Sequence, residues 1–180
     1  LILMSKSNDV DIVREVSSAL NCLSSEDENK EEISYRAIST LISLLMSGDT
    51  DVERHSCCAL ANLLEMTDIH ARFLEERGVP PLVSLCSSPD MPCRIEASRA
   101  IANLSSIPDL IDTLIQEKAL GPLVKSLEQD GDNCRFAALA LANFSTHAPS
   151  LFKIQSAGAI PHLVSLVSGV DNNAEVRRYA

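Results

Sequence analysis

Apolar residues recur along the chain with the spacing of helices rather than strands. In the stretch FAALALANF, residues 136–144, small and aliphatic side chains fill each turn, and the polar Asn143 interrupts them. Asn is a weak helix former whose amide needs hydrogen-bond partners. Asn62 and Asn103 lie in similar apolar stretches, and the three Asn are separated by steps of 41 and 40 residues. This period indicates a repeating structural unit.

A second motif has the same period. An aliphatic pair stands at residues 41–42, 82–83, 123–124 and 163–164. Gly/Pro turn signals at 77–81, 119–122 and 157–161 precede an apolar helix, and polar gaps at 47–51, 87–91 and 128–133 provide caps for a longer helix that ends in the Asn motif. A shorter helix then leads to the next turn. We therefore predict three helices per repeat and an all-α fold without strands.

These signals predict one repeat domain over residues 1–180. It comprises about four and a half repeats: a partial repeat 1–24, full repeats 25–66, 67–107 and 108–148, and a partial repeat 149–180.

Small side chains precede each Asn by three and by six positions. They are Ser56, Ala59, Ala97, Ala100, Ala137 and Ala140. Such residues lie near one helix face and let neighbouring helices approach closely. A single repeat cannot bury its own apolar faces, whereas stacked repeats share a continuous core, so we predict an α-solenoid.

Composition narrows the class of protein. The chain is 46% hydrophobic and 22% charged, which is ordinary for a globular domain, and only 3% aromatic with no Trp. The net charge of −10 argues against general nucleic-acid binding. The apolar runs are too short to span a bilayer.

The six Cys lack the spacing of a zinc site, and we interpret them as small core residues of a cytoplasmic or nuclear protein. We predict no metal and no cofactor. The acidic run SEDENKEE, residues 25–32, is interpreted as a solvated loop or short first helix, with docking of a basic partner as the minor alternative.

The recurring motifs resemble the armadillo repeat family, as in β-catenin and importin-α. The matching segments are GVPPLVSL with CRIEASRAIANLSS, GPLVKSL with CRFAALALANFST, and AIPHLVSL with the incomplete EVRRYA. The resemblance covers essentially the whole chain. It implies a right-handed superhelix of three-helix repeats whose third helices line a concave groove.

The resemblance also implies a partner-binding role for the Asn. Asn62, Asn103 and Asn143 would project into the groove and hydrogen-bond the backbone of an extended or helical partner segment. A purely structural role, in which each Asn bonds backbone near its own helix end, is the alternative. One departure concerns the first repeat, where Cys22 aligns with the Asn position and a one-residue slip would place Asn21 there. The Trp that clasps Lys stems in the importin-α branch is replaced by Cys58, Arg99 and Leu139.

Charged residues near the groove permit two interpretations. Arg99, Arg54 and His55 would form a locally basic strip that reads an acidic partner, as in grooves of the β-catenin type. Alternatively, Arg54, like Arg14 and Arg135, bonds carbonyls or acidic loop residues between repeats.

The predicted function is that of a non-enzymatic scaffold for a protein or peptide partner, with no small-molecule substrate, no nucleic acid and no membrane segment. The alternative is the repeat adaptor region of a larger multidomain protein such as a ubiquitin ligase. A catalytic pair of His55 and Cys58 is disfavoured because no orienting acid or oxyanion element accompanies it. The chain starts without Met and stops inside a motif, so we expect a segment of a longer array with apolar faces exposed at both ends.

Overall fold

Helices joined by short turns make up the part of the chain that the computed structural model describes, residues 1–129, 131–168 and 178–179, and these residues include no strand. The helices are α1 Val10–Ser24, α2 Asp27–Leu44, α3 Thr50–Leu63, α4 His70–Glu75, α5 Val79–Leu85, α6 Met91–Ser105, α7 Pro108–Gln116, α8 Leu120–Ser126, α9 Asp132–Ser145, α10 Leu151–Ser156 and α11 Ala159–Ser168. Short 3-10 turns precede α1, α4 and α10, at Met4–Lys6, Thr67–Ile69 and Ala148–Ser150. The prediction of an all-α fold is confirmed.

The chain divides into two compact units, Leu1–Ala100 and Ile101–Ala180, and helix α6 passes from the first into the second. In unit 1, α1, α2 and α3 pack against one another. In unit 2, α9 packs against α7, α8 and α10, and α10 packs against α11. The predicted repeats are shorter than these units, and their boundaries stay a prediction.

The cores consist of aliphatic side chains and two Phe. Fully buried residues include Ile38, Leu41, Leu60, Leu63 and Phe73 in unit 1, and Ile101, Leu104, Ile111, Leu123 and Phe144 in unit 2. The predicted small residues of the long helices are also fully buried: Ser56, Ala59, Ala97, Ala100, Ala137 and Ala140. These buried small side chains allow neighbouring helices to approach closely, as the sequence predicts.

Acidic residues cap α3 and α6 as the polar gaps at 47–51 and 87–91 predict, whereas α9 after the gap at 128–133 has Gly131 as its N-cap and no side-chain cap hydrogen bond. The Asp49 carboxylate accepts from the backbone N–H of Val52 at 3.1 Å at the start of α3. The Asp90 carboxylate accepts from the N–H of Cys93 at 3.0 Å at the start of α6. Each bond satisfies a donor that the helix itself leaves unpaired.

The prediction of three helices is wrong for residues 25–66. Helix α2 runs for 18 residues without a break, from Asp27 to Leu44. No Gly or Pro lies in this stretch, so nothing ends a first helix before the aliphatic pair. The acidic run therefore forms the first turns of a long helix. Within it, Lys30 is buried and pairs with Asp27 and Glu65, each at 2.8 Å.

Gly78, in one of the Gly/Pro turns, has a role other than the helix-breaking role that the sequence predicts. The left-handed backbone conformation falls on Arg77 (φ 56°), Lys118 (φ 67°) and Gly158 (φ 78°), which recur at the repeat period. Gly78 has an ordinary φ of −72°. A Cβ atom on Gly78 would lie 2.2 Å from the ring of the buried Phe73. Gly78 is therefore needed for close packing and not for its backbone angle.

Several large apolar side chains are exposed near the two ends of the described helices. Leu3 is 86% exposed, and Phe152 is 76% exposed. Tyr35, Met46 and Met91 are exposed as well, away from the ends, so the expectation of apolar faces at the two ends stays a prediction.

Candidate functional site

Three helices, α3, α6 and α9, carry the residues that the sequence assigns to the partner-binding groove. Together with α1 we call them the third helices, because each ends a predicted repeat. Asn62 lies on α3, Asn103 on α6 and Asn143 on α9, and all three side chains are half-buried. Asn62 belongs to unit 1, whereas Asn103 and Asn143 belong to unit 2.

The side-chain amide of Asn62 is paired on both sides. Its Nδ2 donates to the Ser24 hydroxyl at the end of α1, at 3.1 Å. Its Oδ1 accepts from Nη2 of Arg99 on α6, at 2.7 Å. Asn62 therefore connects its own helix to the third helices on either side of it.

Asn143 is anchored through its nitrogen alone. Its Nδ2 donates to the carbonyl of Ala102 at 3.3 Å and to the Ser105 hydroxyl at 3.0 Å, both at the end of α6. No described residue donates to its Oδ1 by a direct hydrogen bond. The amide is thus held in one orientation with an acceptor available.

These bonds also fix the register of the first repeat. Asn62 bonds a serine 38 residues earlier, Ser24, and Asn143 bonds a serine 38 residues earlier, Ser105. Ser105 stands two positions after Asn103, so the residue two positions before Ser24 occupies the Asn position of α1. That residue is Cys22, and the slip to Asn21 is not needed.

Arg99 lies at the centre of a charged network in unit 1. Its Nε and Nη2 donate to Oε2 of Glu96 at 2.8 and 2.7 Å, and its Nη1 donates to Oε1 of Glu65 at 3.1 Å. Its Nη2 also reaches Asn62, as described above, and the Cys58 thiol at 3.9 Å. Only 18% of the Arg99 side chain is exposed. Its charge is therefore matched within the protein.

Arg54 is paired in the same way. Its guanidinium donates to both oxygens of Asp90, at 3.1 and 2.8 Å, and to Asp51 at 2.9 Å. These charge-assisted hydrogen bonds lower the pKa of the Asp90 carboxyl and raise the pKa of Arg54. Arg14 makes the equivalent contact with both oxygens of Asp49, from Nε to Oδ1 at 3.2 Å and from Nη2 to Oδ2 at 2.7 Å. Arg54 therefore contacts an acidic residue between repeats, which is the structural role that the sequence offers as the alternative to reading an acidic partner.

His55 and Cys58 do not make a nucleophile–base pair. His55 Nδ1 lies 3.4 Å from the Ser17 hydroxyl, and the Cys58 thiol meets Arg99. Burial raises the pKa of Cys58, with the charge of Glu96 acting in the same direction. The thiolate that a nucleophile requires is therefore disfavoured.

The other cysteines divide by environment. Cys57, Cys86, Cys93 and Cys134 are buried, as predicted, whereas Cys22 is exposed. Burial raises the pKa of Cys86 and of Cys93 to about 12. Within the described residues, no three His, Cys, Asp or Glu side chains are grouped so that they could hold a metal ion, and none of the helices combines the length and apolar character needed to cross a membrane.

The sequence reasoning missed two kinds of residue at this site. Ser24 and Ser105 hold the Asn amides, and a signal for them existed, because each stands two positions after the Asn position of its repeat. Glu65 is a partner of Arg99 that spacing along one helix cannot show, because the two residues are 34 positions apart, whereas Glu96 stands three positions before Arg99 on α6, a spacing at which helical side chains meet.

Comparisons with known proteins agree with this architecture. The family model described as Armadillo/beta-catenin-like repeat matches residues 74–106. A computationally designed armadillo repeat protein for modular peptide recognition is 26% identical, with a TM-score of 0.91, over 99% of this chain and 76% of the other. A designed armadillo repeat protein in complex with the peptide (KR)4 is 28% identical, with a TM-score of 0.88, over 99% of this chain and 76% of the other. An engineered protein is 28% identical, with a TM-score of 0.89, over 99% and 74% of the two chains. No curated protein sequence matches the chain.

Proposed function

We propose that the chain is a scaffold that binds an extended or helical segment of a protein partner along the third helices, and its similarity to armadillo repeat proteins supports this role. Binding is reversible and involves no covalent step. The designed armadillo protein that holds a peptide supports this assignment, because its fold matches nearly the whole chain.

The observation that carries the proposal is the state of the Asn143 amide. Its nitrogen is held by Ala102 and Ser105, and its oxygen is left without a donor from the described residues. A preorganised acceptor binds a peptide N–H without losing rotamer freedom on binding. Asn143 acts as an acceptor only, which is narrower than the donor-and-acceptor role that the resemblance implies.

Asn62 of unit 1 and Asn103 of unit 2 are further candidate contacts for a partner. Asn62 uses one N–H and its oxygen within the protein, so its second N–H is the group that it offers to a partner. Arg99, Arg54 and His55 lie on the same helices. Because Arg54 and Arg99 are neutralised by carboxylates, reading of an acidic partner would require these ion pairs to open.

The alternative, a repeat adaptor region of a larger protein such as a ubiquitin ligase, assigns the same binding role to this segment. The sequence of the complete protein distinguishes the two. A cytoplasmic or nuclear location also stays a proposal.

The test is fluorescence-anisotropy titration of labelled octapeptides, one of alternating Lys and Arg and one of alternating Asp and Glu. We expect one of them to bind wild-type protein and the Asn103→Ala/Asn143→Ala variant to bind it about 5- to 150-fold more weakly, since each lost hydrogen bond contributes about 0.5–1.5 kcal/mol. Ser145→Ala, an exposed change on the same helix α9, is the matched control. Unchanged affinity in the double variant with intact helicity would assign these Asn a structural role only.

A further inference from the structure

Unit 1 has an open apolar groove between α1 and α2, and unit 2 carries an exposed phenylalanine, Phe152. We propose that the chain associates with a second copy of itself, with Phe152 of one molecule bound in the groove of the other. We call this groove, lined by Leu20, Leu23, Ile33 and their neighbours, the α1/α2 groove. The inference goes beyond the proposed function, because the contact involves neither the Asn side chains nor a foreign partner.

The α1/α2 groove is large enough for an aromatic ring. Its volume is about 490 Å³, and its lining is mainly apolar: Leu20 and Leu23 come from α1, Ile33 from α2 and Leu3 from the N-terminal residues. An engineered apolar cavity of about 150 Å³ in another protein holds benzene, so a groove of this size has room for the ring of a Phe. Leu23 is 40% exposed, which shows that the groove opens to solvent.

The groove is open at a position where the later repeats provide an apolar side chain of their own. Glu32 lines the groove, and the residue 41 positions later is Phe73, which is fully buried. Phe73 packs beside Gly78, and Ala37, 41 positions before Gly78, also lines the groove. One further period on, the same position holds Leu114, which is buried as well. The later repeats therefore fill the equivalent space from within the chain, whereas this repeat leaves it for an apolar side chain from outside.

Phe152 supplies such a side chain. It stands on α10 with 76% of its surface exposed, beside Leu151, which is 52% exposed. An aromatic side chain is among the largest apolar groups that a protein can remove from water. Burial of the Phe152 ring in the α1/α2 groove of a second molecule is therefore the driving force of the contact.

The charges around the two regions are complementary. Residues 25–32, which contribute to the groove lining, contain five acidic residues and one Lys. Residues 145–168, which include Phe152, contain one Lys and no Asp or Glu. That residue, Lys153, lies 3.6 Å from Asp112, but 45% of its side chain stays exposed. Opposite charges therefore attract the two regions, although the whole chain carries a net charge of −10.

The contact is head-to-tail, because the groove and Phe152 are different surfaces. Each pair of molecules leaves one groove and one Phe152 free, so further molecules add in sequence unless the arrangement closes into a ring. A single aromatic anchor gives a small interface of the transient class. We therefore expect association at concentrations between about 1 µM and 1 mM.

The test is sedimentation velocity over this concentration range, with wild type, Phe152→Ala, Leu23→Glu and Tyr35→Ala. Wild type should sediment faster as its concentration rises. Phe152→Ala removes the anchor and Leu23→Glu places a carboxylate in the groove, so each should raise the dissociation constant at least about tenfold. Tyr35→Ala is the matched control and should associate like wild type, because Tyr35 is an aromatic residue of α2 that is 77% exposed and does not line the groove.

A mixture of the two disrupted variants gives the sharper result. Leu23→Glu retains Phe152, and Phe152→Ala retains the groove, so equal amounts should form mixed dimers and nothing larger. Glu32→Phe, which fills the groove from within the chain as Phe73 does in the next repeat, replaces Leu23→Glu if circular dichroism shows that this variant does not fold. A wild-type chain that stays monomeric at about 1 mM, undiminished association of folded Phe152→Ala, or a mixture without dimers overturns the proposal.

Discussion

Arg54 on α3 and Asp90 before α6 are joined by two parallel hydrogen bonds, Nε to Oδ2 at 3.1 Å and Nη2 to Oδ1 at 2.8 Å. The same carboxylate accepts from the N–H of Cys93 in the first turn of α6. One side chain therefore starts a long helix and ties that start to the preceding long helix. Arg14 and Asp49 form the same arrangement between α1 and α3.

We predict that Arg54→Met and Asp90→Asn are coupled in a double-mutant cycle of unfolding free energy. The expected coupling is about 1–2 kcal/mol, because the pair is bidentate but the Arg54 side chain is 35% exposed. The control is the exposed helical pair Arg36 and Glu32, whose coupling should be about 0.3–0.5 kcal/mol. Equal coupling in the two pairs would contradict the role given to Asp90.

Acid should destabilise the protein through Asp49 and Asp90. Hydrogen bonds from Arg14 and Arg54 hold the pKa of these carboxyls below the ordinary value of 3.8. A group with a lowered pKa in the folded state stabilises the protein above the unfolded pKa, and this contribution is lost as pH falls below about 4. The urea midpoint should therefore fall between pH 5 and pH 2.5 in wild type, and fall less in Asp49→Asn/Asp90→Asn. If the urea midpoints of the two proteins fall in parallel as pH is lowered, the loss of stability does not come from Asp49 and Asp90.

Gly78→Ala should destabilise unit 1 by about 1–3 kcal/mol through overpacking. The added methyl group would lie 2.2 Å from the Phe73 ring, which is fully buried. The matched control is Gly121→Ala in α8, where no atom lies within 4 Å of the new Cβ. Calorimetry of both variants checks this, and a Gly78 variant as stable as the Gly121 variant would show that the ring can shift.

Asn143→Ala should reduce stability as well as binding. The change removes donors to Ala102 and Ser105, and each hydrogen bond contributes about 0.5–1.5 kcal/mol. Ser145→Ala, which removes only the bond of an exposed hydroxyl to Ala142 of its own helix, is the control and should cost less. Hydrogen exchange at the end of α6 is the measurement, since this is the segment that Asn143 holds. If Asn143→Ala leaves the protection of backbone amides at the end of α6 unchanged, binding is the only role of Asn143.

The sequence predicts this fold well because the repeat signal combines several independent features. The buried positions of Ala59, Ala100 and Ala140 follow from spacing alone, since small residues three before each Asn must lie on one helix face. The continuous helix α2 departs from the repeat pattern, because residues 27–44 contain no Gly or Pro that would end a first helix.

The candidate site was less predictable. Repeat spacing places Asn62 and Arg99 on the right helices, but it does not show that their side chains meet. Such contacts depend on the stacking distance between repeats and on side-chain length, and neither is encoded in a local pattern. The partners of Arg54 were easier to anticipate, because an acidic cap residue recurs before each third helix of unit 1.

The side-chain hydrogen bonds that tie one third helix to the next join residues between 34 and 41 positions apart, as in Arg99 to Glu65 and Asn143 to Ala102. Closing a chain over one repeat length costs less entropy than closing it over the whole molecule. Each repeat can therefore find its neighbour soon after it is synthesised, and folding should be fast for a chain of this size. The same short range limits cooperativity, so a defect in one repeat should propagate to its neighbours and fade beyond them.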